Sequence, residues 1–208
     1  MTVTIRVASG DETLQADLYG DLPAQRAVIL VHGRDWDGSG WREIAPRFVA
    51  RGVPAVAVNL RGYDGSTGRT EAYAPPAPWT PVLDLAATKA MLREHGVRQI
   101  ALVGASLGGH AVLASAIEGD AECVVALSAP VTPTPDELVA RVRGRVLFIC
   151  ADQDSLGAAP HVLRAFAAAS GPKTLLMFGG KEHSRGMFAA PYGDQVVEAA
   201  VDFVARGR

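Results

Sequence analysis

Short apolar runs alternate with longer Ala- and Leu-rich segments along most of the chain, and this alternation restricts the fold more than any other feature. The runs are rich in β-branched residues, and turns containing glycine separate them from the segments that follow. This rhythm is typical of parallel strands joined by helices that cover both faces of a sheet. Continuous apolarity suits strands that are buried on both faces. We predict these strands at residues 27–31, 54–58, 100–103, 123–127, 146–150 and 174–178.

The Ala- and Leu-rich segments have the apolar spacing of helices. We predict helices at residues 41–51, 82–95, 107–117, 158–169 and 194–205. The amino-terminal segment differs, because apolar and polar residues alternate on both sides of Gly10, as they do in an edge hairpin. The predicted fold class is therefore α/β: a mostly parallel sheet of about seven or eight strands, helices on both faces and an N-terminal antiparallel hairpin.

The composition suits one folded domain. The chain has 208 residues, of which 49% are hydrophobic and 20% charged, so we predict a single domain over residues 1–208. A formal net charge of −2 supplies no basic field, and we expect neither nucleic acid nor an anionic membrane as a partner. No segment reaches the roughly 18 apolar residues of a membrane span, and we expect a cytoplasmic protein. The sequence indicates no oligomeric state.

Motifs for cofactors and metals do not occur in the sequence. It contains no Gly-x-Gly-x-x-Gly, no phosphate loop ending in Gly-Lys-Ser/Thr and no His-Glu-x-x-His, so nothing implies a cofactor or a metal. Cys123 and Cys150 both lie inside apolar runs. We predict that they are buried thiols rather than partners in a disulfide.

The strongest local signal is a glycine-flanked serine between a predicted strand and a predicted helix. The apolar run at residues 100–103 continues into Gly104-x-Ser106-x-Gly108 and then into a helical pattern. A serine on a tight strand-to-helix turn needs small neighbours two residues away on each side, because they lie against the adjacent strand and helix. The alternative is a Gly-rich turn whose serine only caps the helix.

A serine hydroxyl becomes a good nucleophile when a base accepts its proton and a carboxylate orients that base. His183 is the preferred base, since it lies in a polar loop between the last predicted strand and the last helix. Loops at the carboxyl ends of parallel strands carry the chemistry of such sheets. The remaining histidines have simpler interpretations as packed or surface side chains: His32, His95, His110 and His161.

Two aspartates follow the strand that precedes the histidine loop. Asp152 lies two residues beyond the predicted strand, whereas Asp154 has room to turn back toward a neighbouring loop, and we prefer Asp154 as the orienting carboxylate. Asp152 is then a turn-forming or helix-capping residue. The order Ser106, Asp154, His183 is that of a hydrolase built on a parallel sheet.

Acyl transfer also needs backbone N–H groups directed at the oxyanion. We predict that Leu107, directly after the serine, provides one of them. Arg34 provides the other, with Asp35 as the alternative, because Gly33 lets the chain turn after the strand at residues 27–31.

The walls of the substrate site are predicted to come from two loops. One contains Gly33, Asp35 and Trp36, which we assign to substrate binding, and the other is the Pro-rich segment around Tyr73 and Trp79. Only residues 129–144 separate Ser128 from Arg145, between two predicted strands, and this leaves no space for a cap domain over the site. An uncovered site expels water poorly, which favours small or loosely recognised substrates over long-chain lipids.

The chain resembles a small, lidless member of the α/β-hydrolase fold superfamily. The resemblance covers nearly all of it and is carried by His32-Gly33, the motif at residues 61–66, the Gly-Ala-Ser-Leu-Gly turn, Asp154 and His183. The motif after the fourth strand departs from the expected Asp-x-Arg-Gly-x-Gly-x-Ser, because Asn59 replaces the aspartate and Asp64 replaces a glycine. In size the chain also resembles dienelactone-hydrolase-like proteins and small carboxylesterases, although dienelactone hydrolases use cysteine where this chain has Ser106.

The resemblance implies a serine hydrolase for a small carboxylic ester or thioester. It would act through an acyl-enzyme on Ser106, with His183 as the general base and Asp154 as the orienting acid. The superfamily also permits a lyase or an acyltransferase with the same three residues, or a ligand-binding protein without catalysis.

Overall fold

An eight-stranded sheet forms the centre of the computed structural model, which describes residues 1–71, 79–132 and 134–206. The strand order is β1-β2-β4-β3-β5-β6-β7-β8. The β1–β2 and β2–β4 pairs are antiparallel, and the other pairs are parallel. The predicted edge hairpin and mostly parallel sheet are thereby confirmed. The strands are β1 Thr2–Ser9, β2 Glu12–Tyr19, β3 Arg26–Val31, β4 Ala55–Val58, β5 Gln99–Ala105, β6 Cys123–Leu127, β7 Arg145–Ala151 and β8 Lys173–Phe178.

Six α-helices lie in the described part of the chain, and they cover both faces of the sheet as predicted. One hydrophobic core lies between the sheet and the helices α2, α3 and α5, and the other lies on the opposite face under α1 and α6. The helices are α1 Ala45–Val49, α2 Thr80–Glu94, α3 Leu107–Ser115, α4 Asp136–Ala140, α5 Ala158–Ala168 and α6 Gly193–Ala205.

The predicted helix at residues 41–51 is shorter than expected. A 3-10 helix at Gly38–Trp41 comes first, and α1 then begins at Ala45. Pro46 lies in the first turn of α1. Proline has no N–H to donate to a preceding turn, so a helix readily starts at this point but does not run through it.

Strand β8 differs from the prediction of a strand buried on both faces. It is an edge strand, paired with β7 only, and the side chain of Met177 is 36% exposed. Met177 lies on the same face as Leu175, which packs against the core under α5. Helix α5 lies mainly over β7, so this face of β8 is partly open. Apolar composition alone does not distinguish a central strand from an edge strand of this kind.

The connection between β6 and β7 contains only the short helix α4 in its described part, so no cap domain lies over this end of the sheet. Cys123 and Cys150 are buried and unpaired, as predicted, and burial raises the pKa of each thiol to about 12. None of the helices in the described segments is long and apolar enough to cross a membrane.

Candidate active site

Ser106 lies at the junction of β5 and α3 with a left-handed backbone, φ 53° and ψ −116°. Such a conformation costs a non-glycine residue about 1–3 kcal/mol and persists only where the surroundings enforce it. Here the N–H of Ser106 donates to the carbonyl of Leu127 at 2.9 Å, and its carbonyl accepts the N–H of His110 at 3.0 Å. Its side chain does not cap the helix. The helix-cap alternative is therefore not what the structure shows.

The glycines on both sides of Ser106 allow this turn. A Cβ on Gly104 would lie 2.2 Å from the carbonyl oxygen of Gly108. A Cβ on Gly108 would lie 2.3 Å from the carbonyl oxygen of Val31. Strand β5, helix α3 and strand β3 thus approach so closely that only a hydrogen atom fits at positions 104 and 108. This close approach is the reason for small residues that is expected from the sequence.

The structure brings Ser106, His183 and Asp154 into one chain of hydrogen bonds. The Oγ of Ser106 lies 2.8 Å from Nε2 of His183. On the other side of the ring, Nδ1 lies 2.8 Å from Oδ2 and 2.9 Å from Oδ1 of Asp154. A carboxylate only accepts, so Nδ1 carries the proton and Nε2 is left to accept from the serine hydroxyl. The three residues come from loops after β5, β7 and β8, whose carboxyl ends meet at one edge of the sheet.

The carboxylate of Asp154 is held in its charged form. Burial by itself would raise its pKa, but the hydrogen bond and charge of His183, together with the N–H groups of Leu156 and Ala158, hold the pKa below its usual value. Those two N–H groups donate to Oδ1 at 3.0 and 3.3 Å. A negative carboxylate next to the imidazole stabilises the imidazolium that forms when a proton is taken from serine.

Asp152, the other aspartate considered, has a turn role in the structure. Its Oδ1 accepts the backbone N–H of Gly180 at 3.0 Å. Further backbone bonds link the loops that carry Asp154 and His183, among them Gln153 N–H to the Gly180 carbonyl at 3.0 Å and Ser155 N–H to the Lys181 carbonyl at 3.0 Å. The two loops therefore form one connected unit.

Ser106 opens into a cavity of about 450 Å³. Of the residues predicted around the substrate, Arg34, Asp35, Leu107 and Trp79 line it. In the described part of the chain, the backbone N–H groups of Arg34, Asp35 and Leu107 make no hydrogen bond to protein atoms. Leu107 is the first residue of α3, so its N–H has no partner within the helix. The choice between Arg34 and Asp35 as the second donor stays open.

Gly33 and Trp36, assigned to substrate binding from the sequence, are not among the residues that line this cavity. The ring of Trp36 packs against Trp41 instead, with centroids 5.3 Å apart. A Cβ on Gly33 would lie 2.4 Å from Nε1 of Trp36. Gly33 and Trp36 therefore pack against each other within the loop, where Gly33 is buried and Trp36 is half-buried. Tyr73 lies outside the described residues.

Several cavity residues were not assigned from the sequence: His110, Val131, Thr132 and Leu156. His110 follows Ser106 by four residues, and that spacing places both on one face of a helix, which is a signal the sequence does carry. Val131 and Thr132 lie in the β6–β7 connection and Leu156 follows Asp154. They reach the cavity only because β6 lies next to β5 and β7 lies next to β6, with all three carboxyl ends at the same end of the sheet.

The departures at Asn59 and Asp64 have a structural counterpart. The Oδ1 of Asn59 accepts the N–H of Gly38 at 2.6 Å, and its Nδ2 donates to the carbonyl of Asp64 at 2.6 Å. An aspartate could supply the first bond but not the second.

His32 is packed, as expected from the sequence. Its Nδ1–H donates to the Gly33 carbonyl at 2.7 Å, and its Nε2 accepts the N–H of Leu60 at 3.1 Å. Burial lowers the pKa of this imidazole.

Residues 28–207 match the sequence model of the alpha/beta hydrolase family. The chain belongs to this family. No curated protein matches the sequence of this alpha/beta hydrolase.

Solved structures of three proteins illustrate how closely its fold is shared. An esterase from Pyrococcus furiosus has a TM-score of 0.83 and 16% identity, over 100% of this chain and 93% of its own. Dienelactone hydrolase from Anabaena variabilis has a TM-score of 0.78 and 18% identity, over 100% and 98%. Est1E from Butyrivibrio proteoclasticus, with bound ferulic acid, has a TM-score of 0.81 and 14% identity, over 98% of both chains. At sequence identities this low, the similarity to these three structures shows a shared fold.

Proposed function

We propose that this alpha/beta hydrolase is a serine hydrolase that cleaves small carboxylic esters or thioesters. The observation that carries the proposal is the continuous hydrogen-bond chain from Ser106 through His183 to Asp154. Ser106, at one end of this chain, lines a cavity at the carboxyl ends of the strands. The similar fold of an esterase from Pyrococcus furiosus supports an ester as the substrate.

In this proposal, Oγ of Ser106 attacks the acyl carbon while Nε2 of His183 takes its proton. Asp154 orients the ring through Nδ1 and stabilises the imidazolium. The oxyanion accepts hydrogen bonds from the N–H of Leu107 and from that of Arg34 or Asp35. The imidazolium then protonates the leaving alcohol or thiol. Water, activated by His183, releases the acid and restores Ser106.

The first test uses a fluorophosphonate probe and a panel of nitrophenyl esters and acyl thioesters. Wild type should be labelled and should turn over the panel. Ser106→Ala should lose labelling and about four orders of magnitude of turnover. The matched control is Ser155→Ala, which removes an exposed hydroxyl from the Asp154 loop and should behave as wild type. Full labelling or unchanged turnover of Ser106→Ala would contradict the proposal.

A second measurement separates hydrolysis from the lyase and transferase alternatives. In isotopically labelled water, hydrolysis of the acyl-enzyme places one solvent oxygen in the acid product. A product without solvent oxygen would assign the same three residues to another reaction class.

A further inference from the structure

His110 belongs to the walls of two cavities, the one at Ser106 and a second, smaller one. Its side chain lines both, and only 5% of the residue is exposed. Its Nε2 lies 2.7 Å from the Oγ1 of Thr134, which also lines the smaller cavity. The other lining residues are apolar and come from α3, α4 and the segments that follow these helices: Leu113, Ala114, Ile117, Leu138, Val139 and Val142.

The size and chemistry of the second cavity suit a few methylene groups. Its volume is about 30 Å³, which is room for roughly two groups the size of a water molecule. Its apolar walls offer a water molecule few hydrogen bonds, so a hydrocarbon chain is a better occupant.

The imidazole that lines both cavities is held in place and is uncharged near neutral pH. The bond to Thr134 holds one end of the ring, and the ring of Trp79 lies edge-on at 6.1 Å between centroids. Burial, with a smaller contribution from the charge of His161, lowers the pKa of His110 to about 4.

We infer that the pair formed by His110 and Thr134 limits the acyl group to short chains, so that the substrates are esters of unbranched acids with about two to four carbons. The inference rests on the proposed function. A longer chain in the wild-type protein cannot pass His110 into the second cavity. Its further methylene groups stay in the wider Ser106 cavity, which is partly open to solvent, and gain less binding free energy there. His110 is then a specificity-determining residue and takes no part in proton transfer.

Removal of the imidazole should join the two cavities. Each additional methylene group buried there should raise kcat/KM about fourfold. For His110→Ala, the ratio of kcat/KM for the hexanoyl ester to that for the butanoyl ester should therefore rise about tenfold or more above the wild-type ratio.

The experiment compares acetyl, butanoyl, hexanoyl and octanoyl nitrophenyl esters. His95→Ala is the matched control and should leave the ratio unchanged. His95 is exposed at the end of α2 and precedes β5, whereas the cavity lies beyond the carboxyl end of β5. His110→Gln keeps an amide able to bond Thr134 and should keep the short-chain ratio. Adding Ala114→Leu to His110→Ala refills the second cavity and should reverse the gain.

The Thr134→Val variant tests the same limit on acyl-chain length while it keeps the imidazole of His110. It lacks a hydroxyl that bonds to His110, and the hexanoyl-to-butanoyl ratio should rise in the same direction, so the test stands even if His110→Ala does not fold. Unchanged ratios in the folded variants, with butanoyl hydrolysis retained, would overturn the inference and leave the proposed function intact. No hydrolysis of any ester by wild type, and no probe labelling of Ser106, would overturn both.

Discussion

The Oγ of Ser128 accepts the backbone N–H of Ser184 at 2.9 Å, and both residues have left-handed backbones, with φ of 49° and 53°. Ser128 directly follows β6, and Ser184 directly follows His183. The hydroxyl of Ser128 in turn donates to Sδ of Met187 at 3.4 Å. This contact joins the loop that carries His183 to the centre of the sheet, so Ser128 is a positioning residue for the imidazole.

We predict that Ser128→Ala lowers kcat about tenfold to a hundredfold with a smaller change in KM, because His183 is less well placed. The N–H of Ser184 would be left buried without a partner, at a cost of about 1–3 kcal/mol in the free energy of unfolding. Steady-state kinetics and urea unfolding measure the two effects. Ser128→Gly relieves the left-handed backbone but also lacks the hydroxyl. Wild-type kcat in the glycine variant would contradict the prediction, because this variant also lacks the hydrogen bond to Ser184.

Asp154 and Asp152 form a matched pair for testing the orienting carboxylate. Asp154→Asn presents an amide to Nδ1 of His183, which favours the tautomer whose Nε2 carries a proton and does not accept from serine. We expect kcat to fall by about three to four orders of magnitude. Asp152→Asn keeps an oxygen for the Gly180 N–H and should retain most of the activity. Similar losses of kcat in Asp154→Asn and Asp152→Asn would argue against Asp154 as the carboxylate that orients His183.

Gly108 should tolerate no side chain. In Gly108→Ala, the new Cβ would lie 2.3 Å from the Val31 carbonyl and 2.5 Å from that of His32, so β3 and α3 must separate. We expect a loss of about 1–3 kcal/mol in the free energy of unfolding and a lower kcat. Thermal and urea unfolding would measure the loss. Gly179→Ala is the control, because its Cβ meets no atom within 4 Å. The prediction is wrong if the two alanine variants are equally stable.

The buried His110 should make stability depend on pH. Its pKa is about 4 in the folded protein against 6.5 for an unperturbed histidine. As the pH falls below 6.5, the unfolded chain binds this proton first, so the folded state loses stability until about pH 4.

Urea unfolding at pH 7 and pH 4 should therefore show a larger loss in wild type than in His110→Gln, by about 3 kcal/mol. Gln cannot titrate and keeps a group that bonds Thr134. His95→Gln, at an exposed position, should follow wild type. Equal losses in wild type and His110→Gln would exclude His110 as the source.

The sequence predicted the positions of the strands and helices better than it predicted what packs against them. The hairpin and the central strands were predictable because alternation and continuous apolarity report burial along a strand. The partly open face of β8 was not predictable, because it depends on which helices pack over the sheet. The interruption of the helix at residues 41–51 was missed, although Pro46 is a signal in the sequence for a helix start.

The pattern at the site was similar. Ser106, Asp154 and His183 could be selected as candidates because each follows a recognisable strand. By contrast, Gly33 and Trp36 were assigned to the cavity although they pack inside the loop, and His110 was interpreted only as a packed side chain although it lines the cavity. Position next to a motif does not indicate which way a side chain points.

The sequence by itself determined the local features: the βα rhythm and the glycine-flanked serine turn. Each depends on sterics and periodicity within a few residues, so neighbouring residues suffice to specify it. Only the tertiary structure decided the 2.8 Å contact between Ser106 and His183, the residues that line the cavity and the place of His110 in the walls of both this cavity and its apolar neighbour. Those features depend on segments far apart in the chain that meet when parallel strands align their carboxyl ends, and on how tightly the side chains between them pack.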